Sequence, residues 1–193
     1  MRKIYAFDLD GTVTKVETLP LLAAELNLSK EITRLTELTL SGRIPFEISF
    51  RMRYGILNRI PLDRIVEIMA TVPLESSIEK FIGDNRNDCV LVTGNLDRWI
   101  EPIADRLGCK IYSSTLDGGR LRILDKGAVV RRLKSRSARV ISIGESFNDV
   151  SMLEAADVSI AYGGVHRPIA AAVSVADFVV FDGDTLCRLL KIL

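Results

Sequence analysis

Two aspartates stand one residue apart at the point where an apolar run meets a glycine. They are Asp8 and Asp10, in the stretch AFDLDGT at residues 6 to 12. Carboxylates in such a position can serve as a nucleophile, as a general acid and base, or as ligands for a hard metal ion. The same spacing recurs in FDGDT at residues 181 to 185, so spacing alone does not identify a site.

The surrounding elements predict a mostly parallel α/β sheet. Short apolar runs rich in β-forming residues predict strands at 3–9, 88–93, 109–114, 139–143, 157–162 and 177–181. From the second strand onward, helical patterns alternate with these runs, and such alternation places helices on both faces of a parallel sheet. We therefore expect a Rossmann-like α/β fold.

One block of the chain interrupts this alternation directly after the first strand. From about Val16 to Ala70 the pattern is helical throughout, with prolines at 20, 45 and 61 near the predicted helix starts. We predict a core domain formed by residues 1–13 and 75–193. Residues 14–74 are predicted to form an inserted α-helical cap.

Composition limits the classes of partner. The chain of 193 residues is 48% hydrophobic and 26% charged, as expected for a folded domain. A net charge of +1 provides no basic field, so neither nucleic acid nor a membrane is an expected partner. No stretch has the length of a membrane span and no signal peptide is recognised, which predicts a cytoplasmic location. No oligomeric state is predicted.

Cysteine and histidine usage excludes several kinds of site. The cysteines, Cys89, Cys109 and Cys187, are scattered without a CxxC motif, which argues against a disulfide framework or a zinc site. The single histidine, His166, excludes HExxH motifs and histidine-based triads. It follows a predicted strand in YGGVHRP, near the edge of the predicted site, and we assign it no role.

Polar clusters follow several predicted strands at the edge where α/β proteins bind ligands. Besides the first acid pair, Thr93-Gly94-Asn95 and the segment from Glu145 to Asp149 each follow a strand, and Lys126 opens a helix in ILDKGAVVRRL. Acids that gather with a basic group indicate a site for a divalent cation and a phosphate.

The stretches DLDGTVT, VTGN, DKG and GESFNDVSM, in this order, resemble the four motifs of the haloacid dehalogenase superfamily of phosphohydrolases. The resemblance covers essentially the whole chain. The helical insertion and the stretch GNLDRWIEPIADRLG are similar to the phosphoserine phosphatase subgroup. The resemblance implies a Mg²⁺-dependent phosphomonoester hydrolase that forms an aspartyl-phosphate and acts on a small phosphorylated metabolite such as phosphoserine.

The resemblance also implies a role for each motif residue. Asp8 would be the nucleophile, Asp10 the general acid and base, Thr93 a donor to a phosphoryl oxygen, and Lys126 the group that offsets negative charge. The implied Mg²⁺ ligands are Asp8, Asp10 (the family uses the backbone carbonyl here), Glu145 and Asp149. Glu145 replaces the usual aspartate, and its longer side chain would shift the ion or favour Mn²⁺.

Further residues match the substrate-binding positions of the subgroup. Glu17 would meet a substrate amine, and Arg53 would meet a carboxylate, which its planar fork can bind through both oxygens. The remaining substrate-binding positions are Gly94, Asn95 and Asn148. Asn95 replaces a glycine of the subgroup, and the segment between the second and third motifs looks shortened; both departures weigh against a simple phosphoserine assignment.

Each of these residues also has a purely structural interpretation. Asp8 would bind loop amides, Asp10 would form a turn, Thr93 would cap a helix, Lys126 and Arg53 would lie on solvated basic surfaces, and Glu145 would be a helix-start acid. In the second copy of the acid pair, Asp182 or Asp184 is interpreted as a helix cap.

Two other functions remain open at this level. One is a phosphotransferase that moves the phosphoryl group to a small alcohol such as homoserine, and the other is a catalytically silent fold used for binding. An EF-hand at DLDGTVTKVETL is excluded because its sixth position is Val13 and its twelfth is Leu19. P-loop and GxSxG motifs are missing from the sequence.

Overall fold

The computed structural model describes residues 2–135 and 138–193, so Met1, Arg136 and Ser137 of the predicted core domain lie outside it. Within that part of the chain, the strands are β1 Arg2–Phe7, β2 Cys89–Leu96, β3 Lys110–Asp117, β4 Arg120–Arg122, β5 Ala138–Gly144, β6 Val158–Tyr162 and β7 Phe178–Val180. They form one sheet in the order β4-β3-β2-β1-β5-β6-β7. All neighbours are parallel except the β3–β4 hairpin.

The α-helices within the described residues are α1 Thr18–Ala23, α2 Ser29–Leu40, α3 Phe46–Leu57, α4 Leu62–Ala70, α5 Ser76–Asp84, α6 Asp97–Leu107, α7 Lys126–Lys134, α8 Val150–Ala155, α9 Ala170–Val175 and α10 Gly183–Ile192. The expected α/β class with a mostly parallel sheet is confirmed. No element was predicted where α5 lies.

Some element boundaries differ from the sequence-based prediction. Strand β2 does not stop at Thr93 but continues to Leu96, so α6 begins two residues later than expected, at Asp97. Between β6 and β7, α9 begins only at Ala170, two residues after Pro168.

Side chains of the central strand alternate between the two faces of the sheet. Tyr5 and Phe7 join the buried cluster that includes residues of α5, α6 and α10. Ile4 and Ala6 join the other cluster, beneath α7 and α8. This alternation is the two-residue period of a strand covered on both faces.

The helical insertion is connected to the sheet by two chain segments that run side by side. Thr14 and Leu74 form an antiparallel bridge, and the Glu75 amide donates to the Val13 carbonyl over 2.8 Å. Buried side chains of α1 to α4 are continuous with those on the α6 face of the sheet. The division into core and cap stays a prediction, and residues 14–74 are called the insertion below.

The chain order places a switch point at the middle of the sheet. After β1 the chain forms β2 on one side, and it later returns to form β5 on the other side. The carboxyl ends of these parallel strands therefore flank a crevice where ligands bind in open α/β sheets.

Candidate active site

Asp8 is held at the end of β1 by a buried lysine from a distant part of the chain. Its amide donates to the Ile143 carbonyl of β5 over 2.9 Å. Lys126, the first residue of α7, is 2% exposed, and its Nζ lies 2.5 Å from Asp8 Oδ1 and 2.6 Å from Asp149 Oδ1. The interpretation of Lys126 as a solvated lysine is wrong, because two buried carboxylates enclose its ammonium group.

Asp149 uses its second oxygen to fix the loop after β5. Oδ2 accepts hydrogen bonds from the Glu145 amide at 3.0 Å and from the Ser146 amide and hydroxyl at 2.9 Å each. Gly144 is needed beside it, since a Cβ there would lie 2.6 Å from Asp149 Cγ. The loop therefore fixes Asp149, and Asp149 orients Lys126.

Burial and the charges of neighbouring groups shift the pKa values of Asp8, Lys126 and Asp149. Burial, followed by the charge of Asp149, raises the pKa of Asp8 to about 8, although the Lys126 ammonium opposes the shift. Burial alone would lower the pKa of Lys126, but the two carboxylates raise it above its ordinary value. Despite its own burial, Asp149 has a lowered pKa because of Lys126 and the loop donors. The Lys126 ammonium group therefore offsets only part of the effect of burial and of Asp149 on Asp8.

Asp10 is held by donors from the insertion and from β2. Its Oδ1 accepts from the Thr18 amide at 2.9 Å and from the Thr18 hydroxyl at 2.5 Å. Asn95 Nδ2 reaches Asp10 Oδ2 at 3.3 Å and Thr18 Oγ1 at 2.8 Å. Asp10 is therefore more than a turn residue, because three donors from two distant segments converge on its carboxylate.

Thr93 lies inside β2 rather than at the start of a helix. Its Oγ1 accepts from the Asn95 amide at 3.1 Å, and α6 begins only at Asp97. The interpretation of Thr93 as a helix cap is thus wrong. Its buried hydroxyl lines the same cavity as Asp8 and Asp10.

The side chain of Glu145 is buried without a hydrogen-bond donor to its carboxylate among the described residues. It is 2% exposed, and neither carboxylate oxygen has a hydrogen-bond partner among the described residues. Burial and the charges of Asp8, Glu17 and Asp149 raise its pKa to about 10. It does not cap a helix, since the following helical turn begins at Phe147 after Ser146. A buried carboxylate with two unpartnered oxygens fits a bound cation.

Glu17 approaches Glu145 from the insertion and meets the single histidine. His166 Nε2 lies 3.2 Å from Glu17 Oε1. Potential ligand atoms of Glu17, Glu145 and His166 all lie within 4.8 Å of one another. Sequence reasoning gave His166 no role; its one usable signal was its position in a loop directly after a strand that ends at the site.

Arg53 turns inward from α3. It is 3% exposed, its Nη1 donates to Thr36 Oγ1 at 3.2 Å, and its Nη2 has no partner among the described residues. Burial lowers its pKa to about 10, although Asp10 and Glu17 oppose the shift. The interpretation of Arg53 as part of a solvated basic face is wrong; that description fits Arg51, which is exposed and paired with Glu47.

A cavity of about 50 Å³ joins most of these groups. Its polar lining is Asp8, Asp10, Glu17, Thr36, Thr39, Arg53, Thr93, Asn95, Ser146 and Asn148. Phe46 of the insertion closes it against Gly94, where an added Cβ would lie 2.2 Å from the ring. Glu145 and Lys126 lie outside this lining.

The second acid pair is structural. Asp182 Oδ1 accepts from the Thr185 amide at 2.8 Å and caps α10, while Asp184 is exposed in its first turn. The two copies are thus distinguished by their surroundings, with Asp182 as the capping residue.

The site thus lies at the carboxyl end of the central strand of a mostly parallel sheet that is covered on both faces. A family model described as haloacid dehalogenase-like hydrolase matches residues 5–154, which is more than half of the chain. The chain belongs to this family.

Comparisons within the family indicate one subgroup. The chain is 22% identical over 180 residues to a phosphoserine phosphatase of Methanocaldococcus jannaschii, covering 83% of this chain and 85% of that protein. It is 24% identical over 181 residues to one of Campylobacter jejuni, covering 84% and 87%. A solved structure described as a phospho-aspartyl intermediate analogue of phosphoserine phosphatase superposes with a TM-score of 0.83 at 23% identity, covering 100% of this chain and 99% of that one.

These comparisons confirm the expected membership, fold and enzyme class, a haloacid dehalogenase-type phosphatase similar to phosphoserine phosphatases. The roles of the individual side chains stay predictions. No helix in residues 2–135 and 138–193 combines the length and apolar character needed to cross a bilayer.

Proposed function

We propose that this phosphatase hydrolyses a small phosphomonoester through an aspartyl-phosphate on Asp8, with phosphoserine as the first candidate substrate. The observation that carries the proposal is the contact of Lys126 with Asp8, which lines one cavity together with Asp10. A structural aspartate would need no buried ammonium group from a segment 118 positions away.

In the first step, an oxygen of the Asp8 carboxylate attacks phosphorus and the bond to the leaving alkoxide breaks. Asp10, in its protonated form, gives the proton that the alkoxide needs. Lys126 offsets the charge of Asp8, and the hydroxyl of Thr93 donates to a phosphoryl oxygen. Asn148, which also lines the cavity, would contact the phosphoryl group or the substrate.

In the second step, water attacks the phosphorus of the aspartyl-phosphate and Asp10 accepts its proton. Phosphate leaves, and the Asp8 carboxylate is restored. The donors from Thr18 and Asn95 hold the Asp10 carboxylate in place for this proton transfer. Closure of the cavity by Phe46 limits the access of bulk water.

The residues fit a divalent cation. Asp8, the backbone carbonyl of Asp10 and Glu145 would hold Mg²⁺ or Mn²⁺. Both oxygens of Glu145 are without a partner among the described residues, and Lys126 offsets only part of the effect of burial and of Asp149 on Asp8. When bound, the ion supplies positive charge at the phosphoryl oxygens. For Asp149 the contacts support positioning of Lys126 instead, since both of its oxygens already accept hydrogen bonds.

Glu17 and Arg53 support a substrate that carries both an amine and a carboxylate. Arg53 Nη2 is buried and unpartnered within the described residues, so a substrate carboxylate would satisfy it. Asn95, which replaces a glycine of the subgroup, donates hydrogen bonds to the side chains of Asp10 and Thr18. It would thus help to orient the general acid. The small cavity favours a small metabolite.

The test is phosphate release from a panel of phosphomonoesters that includes O-phosphoserine, with Mg²⁺ or Mn²⁺ and with Asp8→Asn as control. Preference for phosphoserine that depends on Arg53 supports the full proposal. Turnover of other esters alone would overturn the substrate and keep the reaction. Adding homoserine to the same assay and measuring phosphohomoserine tests transfer to an alcohol in place of water.

A further inference from the structure

One cluster at the site combines two carboxylates of the proposed reaction with a histidine that this reaction does not use. It consists of Glu17, Glu145 and His166, whose potential ligand atoms lie within 4.8 Å of one another. The three residues come from the insertion, from the loop after β5 and from the loop after β6. Residues so distant in sequence meet only through the fold.

The carboxylates of this cluster meet above Gly11. A Cβ built on Gly11 would lie 2.5 Å from Glu145 Oε1 and 3.2 Å from Glu17 Oε1, so only a glycine allows both oxygens to approach the chain there. Both oxygens of Glu145 are buried without a partner among the described residues. A buried carboxyl group in this condition binds either a proton or a cation.

The loop that carries His166 is held at both ends. The Gly163 amide donates to the Val180 carbonyl at 2.8 Å, and the Ile169 amide donates to the Glu145 carbonyl at 3.1 Å. The second hydrogen bond connects the backbone of this loop to Glu145, whose side chain lies near His166. The imidazole is half-exposed, which gives an ion a route to the cluster from solvent.

We infer that Glu17, Glu145 and His166 form a site for a divalent transition-metal ion, adjacent to the proposed catalytic cation and sharing Glu145 with it. An imidazole nitrogen with two carboxylates suits Mn²⁺, Co²⁺ or Zn²⁺, whereas Mg²⁺ prefers oxygen ligands and water. The two unpartnered oxygens of Glu145 allow it to serve both positions. Glu17 uses Oε1 here and keeps its other oxygen for a substrate amine.

The experiment measures metal binding by the full chain without substrate, so it does not depend on any phosphatase activity. Metal-free protein is titrated with Co²⁺ and with Mg²⁺, for the wild type, His166→Ala and the neutral neighbouring control Val165→Ala. We expect His166→Ala to weaken Co²⁺ binding about tenfold or more and to leave Mg²⁺ binding within about twofold. Val165→Ala should match the wild type for both ions.

Two further readouts separate a lost ligand from a damaged fold. Pulsed EPR of the wild type with Mn²⁺ should show coupling to an imidazole ¹⁴N nucleus, which needs no variant. Glu145→Asp should also weaken Co²⁺ binding, because the shorter side chain withdraws from His166. Equal Co²⁺ affinity in the wild type and His166→Ala, together with no ¹⁴N coupling, would overturn the inference even if phosphate release is found.

Discussion

The ring of Phe46 packs directly on Gly94, and this contact joins the insertion to the carboxyl end of β2. A Cβ on Gly94 would lie 2.2 Å from Phe46 Cζ, so no other residue fits while the ring stays in place. Phe46 also stacks on Phe50, with ring centroids 5.4 Å apart. Closure of the active-site cavity therefore depends on a contact that a single methyl group would break.

Gly94→Ala is expected to open this contact. Overpacking of this kind costs about 1–3 kcal/mol, and displacement of Phe46 should raise KM for the substrate. Thermal unfolding and steady-state kinetics measure the two effects. Gly55→Ala, at an exposed position of α3, is the control: no atom of the described residues lies within 4 Å of its added Cβ, so it should gain about 0.5–1 kcal/mol of stability and leave KM unchanged. Phe46→Ala removes the ring that the added methyl group meets, so Gly94→Ala should raise KM much less in that background; an equal increase in both backgrounds would contradict the steric explanation.

Replacing Asp8 by Asn should reduce phosphate release by about a thousandfold or more, because the amide is a poor nucleophile toward phosphorus. Asp184→Asn, in the second copy of the acid pair, is the matched control and should keep full activity, since Asp184 is exposed. Phosphate release with purified variants measures both. Retained activity in Asp8→Asn would assign the nucleophile to another residue.

Arg53→Ala should raise KM for phosphoserine about tenfold to a hundredfold, with a smaller effect on kcat. A charge-assisted hydrogen bond contributes about 1.5–3 kcal/mol, and here it would act on a carboxylate remote from phosphorus. Arg51→Ala removes the same charge two positions away on the same helix and should change KM by less than about twofold, because Arg51 is exposed and paired with Glu47. Equal effects of the two variants would indicate a general electrostatic contribution.

Without divalent cations, the protein should lose stability as the pH rises from about 5 to 8. The folded-state pKa of Asp8 is raised to about 8 and that of Glu145 to about 10, both above the values of unfolded carboxyls. In this window the folded protein binds more protons than the unfolded chain, so the free energy of unfolding falls by about 1.4 kcal/mol per pH unit for each group.

Denaturant unfolding across this pH range, with a chelator and then with Mg²⁺ or Mn²⁺, measures the effect. The cation should flatten the dependence, because it replaces the bound protons. Glu145→Gln, which cannot ionise, should show a shallower slope in the chelator. If the stability of the wild type stays constant or rises between pH 5 and 8, the pKa values of Asp8 and Glu145 are not raised in the folded protein.

The amino-acid sequence determined the sheet and the identity of the first acid pair. Strand runs, their alternation with helices and the order of four short motifs are local features, because two-residue and 3.6-residue periods are set by backbone geometry. These features predicted the class of fold, the position of Asp8 and Asp10 at the end of β1, and the start of α7 at Lys126.

Which side chains are buried was decided only by tertiary packing. Arg51 and Arg53 must face different sides of α3, but periodicity does not say which one faces the cavity. Thr93 was expected to precede a helix, but it lies within β2 because pairing with β3 extends this strand to Leu96.

His166 meets Glu17 across 149 positions of sequence. No local pattern encodes this contact, because it follows from the strand order and from the hydrogen bond between the loop that carries His166 and the backbone of Glu145. The sequence thus specified which groups can do chemistry, and long-range packing specified which of them meet.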